Sequence, residues 1–374
     1  MLVERYHLYC LILLLNYFDL LNSKQFKKIR FDERNEYQTL GFISERNPKE
    51  WESFRWEKLT IVCPVNFHSR KLNEIARFKE IPTILYANFT LADTLSFERT
   101  NRWISERLNE IQYYRYDGID LNIDDEVEKN SIESNSITEF VRIVSLRFRN
   151  EFINFLILFN IPFSPYNFKD NGVDGRNYDF FNIQKYIDLM VMMNFDQRSQ
   201  TFTKLDECVA GASESIFVTI GSLMAYEEMN LNLNKIILTL GFYVDEYSCV
   251  AYLQNWICII EPFSYRESNC SSRVANQIPW NQFKKQMDHF KQDLQMTYDE
   301  HTDQNIFTRL QDDGLIRQYW GDQTSMVKRF DLVRIKKLKG FGIWMVNYLD
   351  EKLWNFFPTK LHQSSLNITA KNQI

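Results

Sequence analysis

Short apolar runs alternate with helical patterns along most of the chain. From about residue 36 onward, the runs are rich in β-branched and aromatic residues, as expected for repeated βα units around a parallel sheet. They predict eight strands, at 38–43, 59–65, 82–87, 118–124, 155–162, 189–194, 235–242 and 342–346. Helical spacing between them predicts two crossover helices, one with Ile137, Phe140, Val141, Val144 and Phe148 and one with Trp103, Ile104, Leu108 and Ile111.

The strand number and the scarcity of glycine favour one closed barrel. Only 11 of 374 residues are glycine, and none forms the glycine-rich first turn that a dinucleotide-binding fold needs. We therefore expect an α/β protein whose residues 24–358 form a (β/α)8 TIM barrel. The stretch 243–300 is too long for one connection, and we interpret it as an insertion on the face where barrels carry their function.

The two ends of the chain differ from the barrel in composition. Residues 8–15 are apolar, but this run is near ten residues rather than the ~20 that cross a bilayer. A cleaved signal peptide over 1–23 fits best, with no membrane span after cleavage, whereas an uncleaved anchor or a terminal core helix remains an alternative. The polar segment 359–374 predicts a flexible tail.

Secretion predicts an oxidising environment, lysosomal or extracellular, in which cysteines can pair. Removal of Cys10 with the signal peptide leaves Cys63, Cys208, Cys249, Cys258 and Cys270. The nine-residue step between Cys249 and Cys258 suits a bridged loop, and Cys63 in an apolar run resembles a buried free thiol. Because five is odd, at least one cysteine is unpaired in the chain. Candidate glycosylation sequons stand at Asn88, Asn269 and Asn367.

Charge and histidine spacing exclude two classes of partner. Lys and Arg number 44 against 49 Asp and Glu, so a net charge of −5 gives no basic surface for nucleic acid. No two of the five histidines stand three to five residues apart, as a zinc-binding helix would require. We expect a monomer without metal or cofactor.

One predicted strand carries an unusual row of polar residues. In GIDLNID the apolar Ile119, Leu121 and Ile123 alternate with polar residues, so the strand period turns the other set into the barrel. That inward set is Asp120, Asn122 and Asp124. Burying such groups costs several kcal/mol unless they are hydrogen-bonded or meet a ligand, so this strand end indicates a functional site.

Two other interpretations of the acidic strand fit the sequence less well. An EF-hand calcium loop also opens with this spacing, but Asp125 replaces its glycine and Ser131 its final glutamate. A solvated acidic turn is disfavoured because the run lies between two helical patterns.

The run YDGIDLNIDDEV resembles the D-G-x-[DN]-x-D-x-E signature of glycoside hydrolase family 18, the chitinases, and most closely its di-N-acetylchitobiase branch. Further matches follow in order: FSP at 163–165, MNFDQRSQ at 193–200, DECVAGA at 206–212, a Y-x-C…C…C pattern at 247–270 and GFGIWMVNYLD at 340–350. Together they cover about residues 36–358.

The resemblance implies a glycosidase acting on N-acetylglucosamine oligosaccharides, including the chitobiose core, through the substrate's own acetamido oxygen. It puts the proton donor on Asp124, the orienting residue on Asn122, the next inward carboxylate on Asp120 and the motif's first aspartate on Asp117. It also places Phe195 and Asp196 against the substrate and Trp344 under the sugar.

Three of these positions depart from the family's pattern. Asp124 replaces a glutamate, Asn122 an aspartate and Phe195 a tyrosine, so we expect impaired hydrolysis. One alternative is a working hydrolase in which burial keeps Asp124 protonated. The others are a glycan-binding protein without catalysis and a structural barrel with a filled cleft.

Overall fold

The computed structural model describes residues 37–357, except Phe168, 201–206, 254–255, 291–292, 312–313 and 322–324. The predicted signal peptide, Cys10, the sequon at Asn367 and the predicted tail lie outside these described residues. Among the described helices, none is long and apolar enough to span a membrane.

Eight parallel strands form a nearly closed barrel, which confirms the predicted (β/α)8 class. Within the described residues the strands are β1 (Gln38–Ile43), β2 (Ile61–Pro64), β3 (Ile84–Asn88), β4 (Gly118–Asn122), β5 (Leu156–Pro162), β6 (Leu189–Met193), β7 (Cys208–Val209), β8 (Ile236–Gly241), β9 (Tyr243–Cys249), β10 (Ala251–Tyr252), β11 (Cys258–Ile260), β12 (Asn276–Pro279), β13 (Gln295–Asp299), β14 (Gln304–Leu310), β15 (Ile316–Trp320) and β16 (Gly340–Trp344). The barrel order is β2-β1-β16-β8-β6-β5-β4-β3, and a parallel bridge between Val62 and Thr83 joins its two ends. All eight predicted strands are present, although the last begins two residues earlier than predicted.

Helices follow most barrel strands and cover the outside of the sheet. They are α1 (Pro48–Glu52), α2 (Arg70–Phe78), α3 (Leu91–Thr94), α4 (Phe97–Tyr114), α5 (Ile132–Glu151), α6 (Phe180–Ile183), α7 (Ile216–Glu228), α8 (Trp280–Phe290), α9 (Ser325–Ile335) and α10 (Glu351–Trp354). The two predicted crossover helices are α4 and α5, and α5 begins at a serine cap in which Ser131 Oγ accepts from Ser134 N. The helical spacing therefore identified the correct faces, since Trp103 and Phe140 are both buried.

The barrel sheet separates two apolar layers. Leu40, Ile61, Leu158 and Val191 fill the interior, whereas Ile119 and Leu121 of β4 pack outward with the helices. This is the predicted alternation of β4, and it turns Asp120 and Asn122 inward.

The insertion after β8 forms two small antiparallel sheets, one of which also includes β7 from before β8. One has the order β12-β9-β15-β14-β13 and continues to Trp320, beyond the predicted end at residue 300; the other has the order β10-β11-β7. The predicted Cys249–Cys258 disulfide is present, with its Cα atoms 5.1 Å apart, and Cys63 is a buried free thiol as expected. A second disulfide joins Cys208 to Cys270, a pairing that the sequence left open.

Barrel closure leaves no room for a side chain at Gly340. A Cβ there would lie 1.9 Å from Gln38 O and 2.6 Å from Gln38 N on the paired strand β1. Gly340→Ala should therefore force β16 away from β1 and lower the free energy of unfolding by roughly 1–3 kcal/mol or more. Urea denaturation followed by circular dichroism measures this change.

Gly221→Ala is the matched control for this prediction. Gly221 lies in α7 with no atom within 4 Å of an added Cβ, so alanine should stabilise the protein by roughly 0.5–1 kcal/mol. Equal stability of the two variants would contradict the close approach of β1 and β16.

Candidate active site

A cleft of about 310 Å³ opens where the barrel strands end, within the size range of ligand pockets. Its walls combine residues from strand ends with residues from the loops that follow them. The lining residues are Tyr86, Asn122, Asp124, Phe163, Asp174, Arg176, Met193, Phe195, Asp196, Ser199, Tyr265, Arg273 and Trp344. The structure thus brings together five residues that were predicted to belong to the site: Asn122, Asp124, Phe195, Asp196 and Trp344.

Aromatic rings form one side of the cleft. Trp344, the last residue of β16, stacks on Phe195 with ring centroids 5.5 Å apart and contacts Phe42 of β1 at 5.1 Å. Phe195 in turn meets the edge of Tyr243 at 6.3 Å. Packing from several strands holds the indole in place, so a flat apolar surface is available to a ligand.

Asn122 is the last residue of β4 and is nearly buried. Its Nδ2 donates to Asn88 Oδ1 at 2.9 Å and to Asp124 Oδ2 at 3.4 Å. Asn88, an exposed sequon asparagine, ends the neighbouring strand β3 and so lies beside the cleft. The amide of Asn122 is thereby fixed between a neutral acceptor and a carboxylate.

Asp124 is an exposed residue in an ion pair. Its side chain is 69% exposed, and its Oδ1 accepts from Arg176 Nη1 at 3.2 Å. Arg176, only 11% exposed, also pairs with Asp174 Oδ2 at 3.3 Å. The expectation that Asp124 is buried is therefore wrong. Arg266 closes over the same turn by donating to Asp124 O at 2.9 Å and pairing with Glu126.

Asp120 lies beneath the cleft and is fully buried. Asn160 Nδ2 donates to its Oδ2 at 3.4 Å, while Oδ1 has no hydrogen-bond partner in the part of the chain that the structure describes. Burial raises the pKa of Asp120 to about 8, partly offset by the bond from Asn160. Asp120 is therefore mostly a neutral acid at pH 7.

Asp117 does not lie in the cleft, contrary to the catalytic set that the resemblance implied. It precedes β4 at the opposite end of the barrel, where its carboxylate accepts from Thr83 N at 3.1 Å and pairs with Arg77 at 3.3 Å. These contacts tie β3, β4 and α2 together, which is the stabilising role typical of the amino-terminal face of a barrel.

Asp196 follows β6 and is half-buried in the cleft wall. Its Oδ1 accepts three hydrogen bonds, from Tyr243 Oη at 2.8 Å, Gln277 Nε2 at 3.0 Å and Ser213 Oγ at 3.4 Å. Burial raises the pKa of Asp196, and the bond from Tyr243 and the charge of Arg273 oppose that rise. A carboxyl group with such a pKa is a candidate for proton transfer.

Sequence reasoning missed the residues that loops bring to the site. Arg176 and Asp174 come from the loop after β5, and Arg273 and Tyr265 come from the insertion, where the Arg273 guanidinium lies 3.9 Å from the Tyr265 ring centroid. Periodicity gives no signal for such residues; only their position after a barrel strand or in the insertion could have suggested them. Among the described residues, no group of three or more His, Cys, Asp or Glu is arranged to hold a metal ion.

Known structures share this fold. No family model matches the chain. The chitinase from Cycas revoluta, solved in complex with (GlcNAc)4, aligns with a TM-score of 0.65 at 15% identity over 85% of this chain and 98% of that one. The class V chitinase from Nicotiana tobaccum, in complex with NAG4, gives 0.68 at 11% identity over 87% and 98%. The chain therefore has the (β/α)8 barrel fold of these chitinases.

Two proteins are similar to the chain in sequence over most of its length. Di-N-acetylchitobiase of Homo sapiens is 24% identical over 340 residues, covering 86% of this chain and 84% of the relative, and that of Rattus norvegicus is 25% identical over 316 residues, covering 83% and 82%. The chain is thus similar to the di-N-acetylchitobiases over most of its length. These relatives and the two disulfides fit a protein of the secretory pathway.

The buried carboxyl of Asp120 predicts a pH dependence of stability. Its folded pKa of about 8 exceeds the unfolded value, so its contribution is fully present below about pH 4 and is lost as the pH rises to 8. Asp120→Asn removes this proton linkage. The variant should gain stability relative to wild type by up to about 1.4 kcal/mol per pH unit across that range.

Urea denaturation of both proteins at a series of pH values from 4 to 8 checks this expectation. Other buried acids affect both proteins equally, so the difference isolates residue 120. Parallel stability curves would show that Asp120 is ionised in the folded protein.

Proposed function

We propose that this protein recognises N-acetylglucosamine oligosaccharides of the chitobiose type in the cleft and hydrolyses them only weakly. The ion pair between Asp124 and Arg176 carries the proposal. At the position of the family's proton donor, the chain has a short, exposed carboxylate that is already engaged by a guanidinium.

Recognition is supported by the cleft and by its relatives. Trp344 and Phe195 present apolar ring faces, while Asn122 and Asp196 supply polar groups at the rim, the combination that orients small ligands. Proteins with this fold have been solved in complex with (GlcNAc)4 and NAG4, and the sequence relatives are named for chitobiose.

Weak hydrolysis is supported by the three departures from the family's pattern. An aspartate at 124 withdraws the proton by over ~1 Å, which can cost ~10²-fold. Asn122 removes the negative charge that would balance an oxazolinium cation, and Phe195 lacks a donor for the attacking carbonyl; losing such a donor typically costs ~10²–10³. Because these groups act as a unit, we expect a combined loss of ~10⁴-fold rather than the full product.

The alternative function is glycan binding with no catalysis at all. The same three departures and the Asp124–Arg176 pair favour it. A product assay on di-N-acetylchitobiose between pH 4 and 7 separates the two: slow release of N-acetylglucosamine supports the weak hydrolase, and its absence with intact binding supports the lectin-like protein.

Trp344→Ala should weaken di-N-acetylchitobiose binding at least about tenfold, because it removes the stacking surface at the centre of the cleft. Calorimetric titration of the full protein measures the Kd. Trp256→Ala is the matched control, since this tryptophan is 41% exposed in the insertion and does not line the cleft. Equal affinity of wild type and Trp344→Ala would contradict the proposed binding site.

Restoring the family's residues should restore turnover. The triple change Asn122→Asp, Asp124→Glu and Phe195→Tyr should raise kcat on chitobiose by orders of magnitude, and by more than the product of the single changes. The Kd should change far less. A triple variant that folds and binds the disaccharide without faster turnover would locate the deficit elsewhere, with Arg176 the first residue to replace.

A further inference from the structure

The hydrogen bonds to Asp196 all reach one of its two carboxyl oxygens. Tyr243, Gln277 and Ser213 donate to Oδ1, whereas no described residue donates a hydrogen bond to Oδ2, although Asp196 lines the cleft. An oxygen that accepts hydrogen bonds from three donors has no free lone pair for a proton. A proton on this carboxyl therefore belongs on Oδ2, the oxygen left for the cleft.

The carboxyl group of Asp196 and its neighbours interact with several titratable or charged side chains of the protein. The titratable or charged groups acting on it or its neighbours are Tyr243 and Asp245 of β9, Glu214 before α7, Asp174 after β5 and Arg273 of the insertion. Asp245 and Glu214 are buried, and Glu214 pairs with the buried Arg329. Burial raises the pKa of Asp245 and of Glu214, and the charge of Asp196 raises both further, which favours retention of protons in this group. Asp196 is the member of this group that lines the cleft.

We propose that Asp196, rather than Asp124, is the general acid of the residual hydrolysis. This inference rests on the proposed function and names the residue that would donate the proton to the leaving sugar. The substrate is a β-linked N-acetylglucosamine oligosaccharide whose scissile bond lies between the Trp344 floor and the Asp196 wall.

The proposed hydrolysis proceeds in two steps. The substrate's acetamido oxygen attacks C1 and forms an oxazolinium ion, while the C1–O bond breaks and its electron pair goes to the leaving oxygen. That oxygen takes the proton from Asp196 Oδ2, which leaves a carboxylate stabilised by its three donors. Water then attacks C1 and returns a proton to Asp196, so that the net reaction is hydrolysis.

The backbone conformation of Asp196 supports a role for its carboxyl group in the cleft. Its φ of 53° lies in the left-handed region, which non-glycine residues adopt at a cost and aspartate tolerates better than most. The N–H of Asp196 donates to Ser213 Oγ at 3.0 Å, so main chain and side chain are both anchored to the same serine. The carboxyl is thus held in position, whereas Asp124 lies on an exposed turn.

The first test compares Asp196→Asn with Asp124→Asn in the full protein, with di-N-acetylchitobiose as the probe. Asparagine keeps an Oδ1 acceptor for the three donors, so folding should be preserved. Asp196→Asn should lower the residual kcat at least 100-fold with a Kd changed only a few-fold, and it should lower kcat far more than Asp124→Asn does. Loss of turnover in Asp124→Asn with retention in Asp196→Asn overturns the proposal.

Tyr243→Phe gives a readout that a merely structural role would not move. Removing this donor destabilises the Asp196 carboxylate and raises its pKa, so the alkaline limb of the kcat–pH profile should shift to higher pH while turnover persists. An unshifted limb in Tyr243→Phe counts against Asp196 as the acid.

The outcomes also separate this inference from the proposed function. If wild type binds the disaccharide but shows no turnover above the uncatalysed rate, the proposed acid is wrong and recognition stands. If no binding is detected by calorimetry, recognition and the acid assignment both fail.

Discussion

Parallel pairing of β16 with β1 on one side and β8 on the other is the constraint on which the cleft depends. This pairing brings the last residue of β16, Trp344, against Phe42 of β1 and against Phe195 beyond the end of β6. Gly340 allows the pairing because its backbone approaches β1 too closely for any side chain. The aromatic floor therefore follows from strand register rather than from the loops that surround it.

The barrel could be predicted from sequence because its signals are local. Alternation in β4 correctly turned Asp120 and Asn122 inward, and helical spacing found the buried faces of α4 and α5. The last strand was misplaced by two residues because GFGIWMV is apolar or glycine throughout, so no change of pattern marks its ends. Motif matching put Asp117 in the site because a spacing along one strand does not show which residues reach the cleft.

Contacts between residues far apart in the sequence could not be predicted, for a different reason. Arg176 and Asp124 are 52 residues apart, and the Cys208–Cys270 disulfide spans 62. The sequence around one residue of each contact does not indicate its partner. Both contacts depend on the conformation of the loops in the folded barrel. The exposure of Asp124 and its ion pair with Arg176 follow from these loops and not from the strand pattern. Sequence therefore identified the location of the site better than its electrostatics.

The Cys208–Cys270 disulfide anchors the insertion loop that bears Tyr265 and Arg273 to a strand that follows β6. This loop is thus attached covalently to the segment between β6 and α7. A chain produced in a reducing cytosol would lack this attachment although its barrel could still form. The width of the cleft would then depend on the compartment in which the protein matured.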